Sequence, residues 1–215
     1  MASNGMSPEQ MQAAANSAAS AQVQFIVDSF RGTLYVLDQL DVQDTPIYDT
    51  LTYAAGASVT QQNAQFFVNV GNASGKTFAQ TNMTTPGKLD APEAFSVFGN
   101  SLYWDSSILR DDLDSILQSF AYELYLLKKY YQRAPIWHFN AGAGVSGYTT
   151  NTGESFYTNG TPNRDSMHKL AIPVIISNQL SFFGDLAGNS VTLNASGSGL
   201  ILVSRLVGLY ARAIQ

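Results

Sequence analysis

The chain has no cysteine, only 7 prolines and few charges, with 11 Lys and Arg against 16 Asp and Glu in 215 residues. Without cysteine there is neither a disulfide framework nor a thiolate metal site. A net charge of −5 and the lack of any basic patch exclude a dedicated nucleic-acid binder, whose affinity comes mostly from Lys and Arg on phosphates. Long hydrophobic runs are missing as well, so no segment reads as a membrane-spanning helix. The start MASNGMSPEQ lacks the basic region and apolar core of a signal peptide, and the expectation is a protein made and used without export. What remains is 45% apolar and 12% aromatic with only 13% charged residues. So few charges cover a free surface poorly, which anticipates surfaces buried against partners.

Elements of catalytic and cofactor sites fail on their spacing. Gly75-Lys76-Thr77 resembles the end of a phosphate-binding loop, but Val70 stands where the first glycine belongs. Pro86-Gly87 follows too soon for the helix whose N-terminus would face the phosphates. Gly71 to Gly75 therefore reads as a turn. The stretch Gly142 to Gly147, GAGVSG, matches neither a nucleophile elbow nor a dinucleotide fingerprint. His138 and His168 lie in apolar strand-like runs, where an imidazole is more often structural than a ligand. Asp111, Asp112 and Asp114 follow one another on a helix and point in different directions, as on a solvated face, against the alternative of a calcium site. No constellation assembles an active site, so the expectation is a non-enzyme with no cofactor and no metal.

Two organisations divide the chain. Ser7 to Phe30 opens with Ser7 as N-cap and Pro8 at the first helical position, and predicts an Ala-rich helical arm. Its large apolar residues, Met11, Val23, Phe25, Ile26, Val27 and Phe30, need a partner surface, either on a neighbouring subunit or on the chain's own domain. Beyond Arg31 short apolar runs of period two alternate with Gly, Asn, Ser, Thr and Pro clusters. Strands are predicted at Ala64 to Val70, Phe95 to Trp104, Tyr122 to Tyr131, Ile136 to Phe139, His168 to Ile176, Phe182-Phe183 and Leu200 to Val207. Pro173 inside one of them marks an edge or a bulge. Leu109, Leu113, Ile116, Leu117 and Phe120 recur at helical spacing and predict one inserted helix. The expected fold is all-β: a single jelly-roll sandwich of about eight antiparallel strands over residues 46–215, behind a helical arm and linker over 1–45. Tyr122, Tyr125, Tyr130, Tyr131 and Trp137 make the middle aromatic, which suits a strand buried on both sides in subunit packing better than a glycan platform.

The order of several landmarks carries a resemblance. Gly75 to Gly99, GKTFAQTNMTTPGKLDAPEAFSVFG, is similar to the pattern of a turn, Thr-Asn-Met, Pro-Gly and a Pro-led strand found in jelly-roll major capsid proteins of tailless icosahedral bacteriophages. Ala134-Pro135-Ile136-Trp137, Asn159-Gly160-Thr161-Pro162, Leu170 to Ile176 and the ending Gly208 to Gln215 follow in the same order. The resemblance spans Thr50 to Gln215 and implies a virion shell subunit, made in the host cytoplasm and self-assembling into capsomers. Minor capsid or spike proteins are further partners it implies, and the acidic balance without a basic N-terminal arm anticipates a shell around an internal membrane or a separate nucleoprotein. Met11, Val23, Phe25, Ile26, Phe30, Tyr130, Tyr131 and Trp137 are then the candidate subunit-interface residues. In this reading Gly75-Lys76-Thr77 begins a unit that fixes the barrel wall, and has no phosphate to bind. The alternative is a spike, receptor- or carbohydrate-binding jelly roll.

Overall fold

A computed structural model describes residues 7, 9, 25–28, 33–36, 40–71, 74–139 and 167–213. Two antiparallel sheets face each other. The first holds β3 (Leu40–Gln43), β4 (Ile47–Tyr53), β7 (Ala94–Trp104), β10 (His168–Ser177) and β13 (Leu200–Ala213), in the order β10-β7-β13 with β3 and β4 on the far side of β13. The second holds β6 (Gln65–Phe66), β8 (Phe120–Leu126), β9 (Lys129–Pro135) and β11 (Phe182–Gly188), in the order β6-β11-β8-β9. Two small ribbons pair β1 (Phe25–Asp28) with β2 (Thr33–Val36), and β5 (Ser58–Val59) with β12 (Val191–Thr192). One helix, α1 (Arg110–Ser119), joins β7 to β8. These assignments support an all-β sandwich with one inserted helix.

Alternation along each strand builds the core. Leu200, Leu202, Ser204 and Leu206 of β13 are buried while Ile201 and Arg205 are exposed. Phe120, Tyr122, Leu124 and Leu126 do the same on β8, and meet Phe66, Phe182 and Leu186 with Leu102 and Trp104 from the facing sheet. Fully burying one such side chain stabilises by about 1.5–3 kcal/mol. The core is sealed by a hydroxyl contact: Tyr122 Oη lies 3.0 Å from Ser204 Oγ between the sheets. Burial pushes the Tyr122 hydroxyl up to about 12, against the hydrogen bonds of Ser204 and Asn100. Gly184 is required there, since a Cβ on it would stand 2.7 Å from that hydroxyl.

β13 serves three strands. Leu200 to Leu206 pair with β4 and Tyr210 to Ala213 with β3, while its other edge pairs with β7 along most of its length. Pro46 lies between β3 and β4 and has no N–H to offer the ladder.

Several expectations are corrected. Phe25 and Ile26 belong to strand β1, not to a helix running to Phe30. Phe25-Ile26-Val27 is an aromatic and β-branched run, and pairing with Leu34-Tyr35-Val36 suits it better than a helix does. Glu9 is helical, while the rest of the expected arm, with Met11, Val23 and Phe30, lies outside the described residues. Leu40–Gln43, inside the segment read as arm and linker, is a sheet strand. The run from Tyr122 to Tyr131 is a hairpin, β8 and β9, turning at Leu127-Lys128 with φ +55° at Leu127. No Gly or Asn announces that turn. Ile136 to Phe139 forms a single 3-10 turn, and the Ala64 to Val70 alternation yields only the two-residue β6, because Phe67 turns to φ +67°. The expected helix, the strand character of Leu200 to Val207, and Pro173 on an edge strand beside a register shift all match the structure.

Candidate interaction surface

Lys76, the residue that the Gly-Lys-Thr triplet puts forward, is fully engaged. Its Nζ donates to Asp49 Oδ1 at 2.7 Å, and the other Asp49 oxygen accepts the Phe67 backbone N–H at 2.7 Å. Asp49 is 0% and Lys76 14% exposed. The carboxylate thus holds Phe67 in its left-handed conformation, which costs a non-glycine residue about 1–3 kcal/mol. The following residues are stitched to β4. Thr50 Oγ1 donates to the Gln80 carbonyl at 2.7 Å and Thr81 Oγ1 to the Tyr48 carbonyl at 3.1 Å. Asn82 Nδ2 donates to the Pro46 carbonyl at 2.8 Å, while Asn82 Oδ1 accepts the Tyr48 N–H at 3.1 Å. Gly71 takes φ +77° where a Cβ would stand 2.4 Å from the Thr84 carbonyl. Lys76-Thr77-x-x-x-Thr81-Asn82-Met83 is therefore a clamp that fastens an irregular loop to the first sheet, with Met83 buried beneath it.

The second sheet carries a different kind of polar group. On its outer face Glu123 and Arg133 are register partners, and Arg133 Nε lies 2.5 Å from Glu123 Oε1. Tyr125 Oη donates to Glu123 Oε2 at 2.6 Å, and that hydrogen bond raises the Tyr125 hydroxyl above its ordinary value. Arg133 also lies 4.2 Å above the Tyr130 ring centre, a cation–π contact. Tyr125 stacks on Phe183 at 4.8 Å with the ring planes 7° apart. Across the ladder from Glu123 stands Asp185, bonded by Gln61 Nε2 at 2.9 Å. Burial first, and then the Glu123 charge, raise the Asp185 carboxyl, against hydrogen bonds from Gln61 and the Leu186 backbone.

This group borders an open edge. β9 is the last strand of its sheet, and Tyr130 is 53%, Tyr131 43% and Trp137 54% exposed. The strand expected to be buried on both sides is thus exposed in the single chain, because among the described residues no further strand covers β9. Beside it runs a groove of about 610 Å³ lined by Asp114, Leu117, Gln118, Phe120, Pro135 and Trp137. Of the predicted interface residues, Tyr130, Tyr131 and Trp137 share this edge, whereas Phe25 and Ile26 belong to the β1–β2 ribbon. Glu123, Tyr125 and Phe183 were not singled out as interface residues. A charge among aromatics at Glu123 was the available signal, but its pairing depends on the unannounced turn at Leu127.

The remaining candidates separate. Asp112 turns inward to accept the Asn194 N–H at 2.9 Å, Asp114 pairs with Arg110 at 3.5 Å, and Asp111 is exposed. His138 and His168 come together, with ring centres 4.4 Å apart. Among the described residues no three His, Cys, Asp or Glu side chains gather as a metal site, and no helix is long and apolar enough to cross a membrane. Compared with known proteins, the chain matches no family, no curated protein and no solved structure.

Proposed function

We propose that this chain is a structural subunit, the major capsid protein of an icosahedral phage shell, built as a single jelly roll. The observation that carries the reading is the strand order. Counting β4, β6, β7, β8, β9, β10, β11 and β13 as one to eight, the sheets run 1-8-3-6 and 2-7-4-5. Strands consecutive in the chain thus repeatedly fall in opposite sheets, the wrapping of two Greek keys into a jelly roll. Support also comes from the exposed aromatic edge at Tyr130, Tyr131 and Trp137, since Tyr and Trp are enriched at interfaces. The low charge content points the same way.

A rigid sandwich acts by geometry. Repeated heterologous contacts around symmetry axes close into a shell, each contact being weak enough to correct and numerous enough to hold. The acidic balance suits a shell that encloses an internal membrane or a nucleoprotein and does not itself neutralise the genome. The N-terminal segment locks neighbouring subunits, and minor capsid or spike proteins complete the particle.

Negative-stain microscopy beside sedimentation velocity tests this directly. Closed shells, or rings of five and six, are expected; a stable monomer or trimer that never assembles, alone or with co-expressed virion partners, would overturn it. A second reading, a spike or carbohydrate-binding head, is favoured by Trp137 standing over a groove with Asp114 and Gln118, an aromatic plate beside hydrogen-bonding groups. A sugar-dependent signal on a glycan array would select it.

A further inference from the structure

The two histidines meet at the mouth between the sheets. His138 comes from the 3-10 turn that follows β9, at the edge of the second sheet, and is exposed. His168 opens β10 on the first sheet and stands opposite Asn100 in the β10–β7 ladder. Residues opposite each other project on one face of a sheet, and Asn100 faces the interior at 0% exposure. His138 and His168 therefore meet here, with Asn100 on the same face of the first sheet opposite His168.

Asn100 is itself oriented. Its Nδ2 donates to Gln132 Oε1 at 3.1 Å, which leaves Oδ1 a buried acceptor without a partner. A buried carbonyl oxygen without a donor costs about 1–3 kcal/mol, and Gln132 Nε2 beside it is likewise a buried donor without an acceptor. The rings lie against an aromatic wall, with Phe139 edge-on to His138 at 5.3 Å and to His168 at 5.3 Å.

We infer that His138, His168 and Asn100 Oδ1 form a binding site for a divalent transition-metal ion, which braces the two sheets together at their open edge. The ring spacing is compatible with two imidazoles on one ion. With N–metal bonds of about 2.1 Å, two imidazoles on one ion at a right angle have ring centres about 4.5 Å apart, and at a tetrahedral angle about 5.3 Å. The observed 4.4 Å fits the right angle. Mixed nitrogen and oxygen donors at right angles suit Cu(II) or Ni(II) above Zn(II). The exposed His138 gives the ion its way in, and water fills the remaining positions.

Untagged full-length protein, freed of metal with a chelator, is titrated with Cu(II), Ni(II) and Zn(II) by calorimetry and followed by thermal melting. One ion per chain is expected, with Cu(II) and Ni(II) tighter than Zn(II) and a Tm rise of about 5–10 °C at a hundredfold excess over Kd. Electron paramagnetic resonance of the Cu(II) form should show two nitrogen ligands. His138→Gln and His168→Ala should each abolish both effects, while Asn100→Asp, which adds a charge of the same shape, should tighten binding about tenfold. Melts in chelator confirm that each variant folds; His138→Gln, at an exposed position, carries the test if His168→Ala does not. No uptake by the wild-type chain, or uptake that survives His138→Gln unchanged, would overturn the inference.

Discussion

Asp49 with Lys76 and Glu123 with Arg133 are chemically alike, a carboxylate held by a cation across strands or loops, yet they have different consequences. In the first pair both partners are withdrawn from water, and the carboxylate also holds a strained backbone N–H. In the second the carboxylate is covered but Arg133 is 51% exposed and lies on a tyrosine at an open edge. A buried pair is costly to break because its survivor is left charged and dry, while water takes over for an exposed partner. The first pair therefore belongs to the fold, and the second to whatever the edge meets.

Breaking the pairs should separate them. Asp49→Ala should destabilise by about 3–5 kcal/mol in urea titrations, and by more than Lys76→Ala, because only Asp49 also carries the Phe67 N–H. A larger loss for Lys76→Ala would mean that the stranded Asp49 charge outweighs the lost Phe67 bond. Arg133→Ala should lower stability by less than Asp49→Ala in the same titration, because the covered Glu123 it leaves keeps the Tyr125 hydroxyl as a donor, and yet reduce particle formation measured by sedimentation. Trp137→Ala and Tyr130→Ala should change subunit stability by about 0.5 kcal/mol or less while weakening assembly most. If either variant assembles like the wild type, the edge is not a subunit contact.

Asp185 sharpens the contrast by pH. Its folded-state pKa is raised, so the folded chain binds the proton more tightly than the unfolded chain does. The stability this gives is fully present below the ordinary carboxyl value of 3.8, and is lost as pH rises through the raised one. Asp185→Asn should flatten the fall across that window, seen as a smaller difference in Tm between acidic and neutral buffer than the wild type shows.

Strand positions with period-two apolar residues were legible, as for β7, β10 and β13, since alternation reports directly which face is buried. Helix α1 was legible for the corresponding reason at period 3.6. The turn at Leu127-Lys128 was not, because it lacks the residues that make left-handed backbone cheap; reading through it merged a buried strand with an exposed edge. Phe25 to Val27 misled in the opposite way, since a short apolar run has no period to read and its strand partner lies beyond the helix's expected end. Lys76 was recognised as something other than a phosphate ligand, but Asp49 was invisible as its partner: 27 residues apart, they are joined only by the folded loop. Tyr130, Tyr131 and Trp137 were grouped by composition, and share an edge because β9 is the last described strand of its sheet.

The length of β13 has a consequence in time. Among the described residues β3 and β4 pair in the first sheet only with β13, which follows every other strand of the sandwich in the chain. As the polypeptide emerges from the ribosome, β4 must wait through nearly the whole sandwich before its mate exists, and contacts so distant in sequence form slowly. The hairpin of β8 and β9, by contrast, closes as soon as it is made. An exposed aromatic edge is thus ready before the body that carries it, and crowding of nascent chains on one message becomes a hazard of making this protein fast.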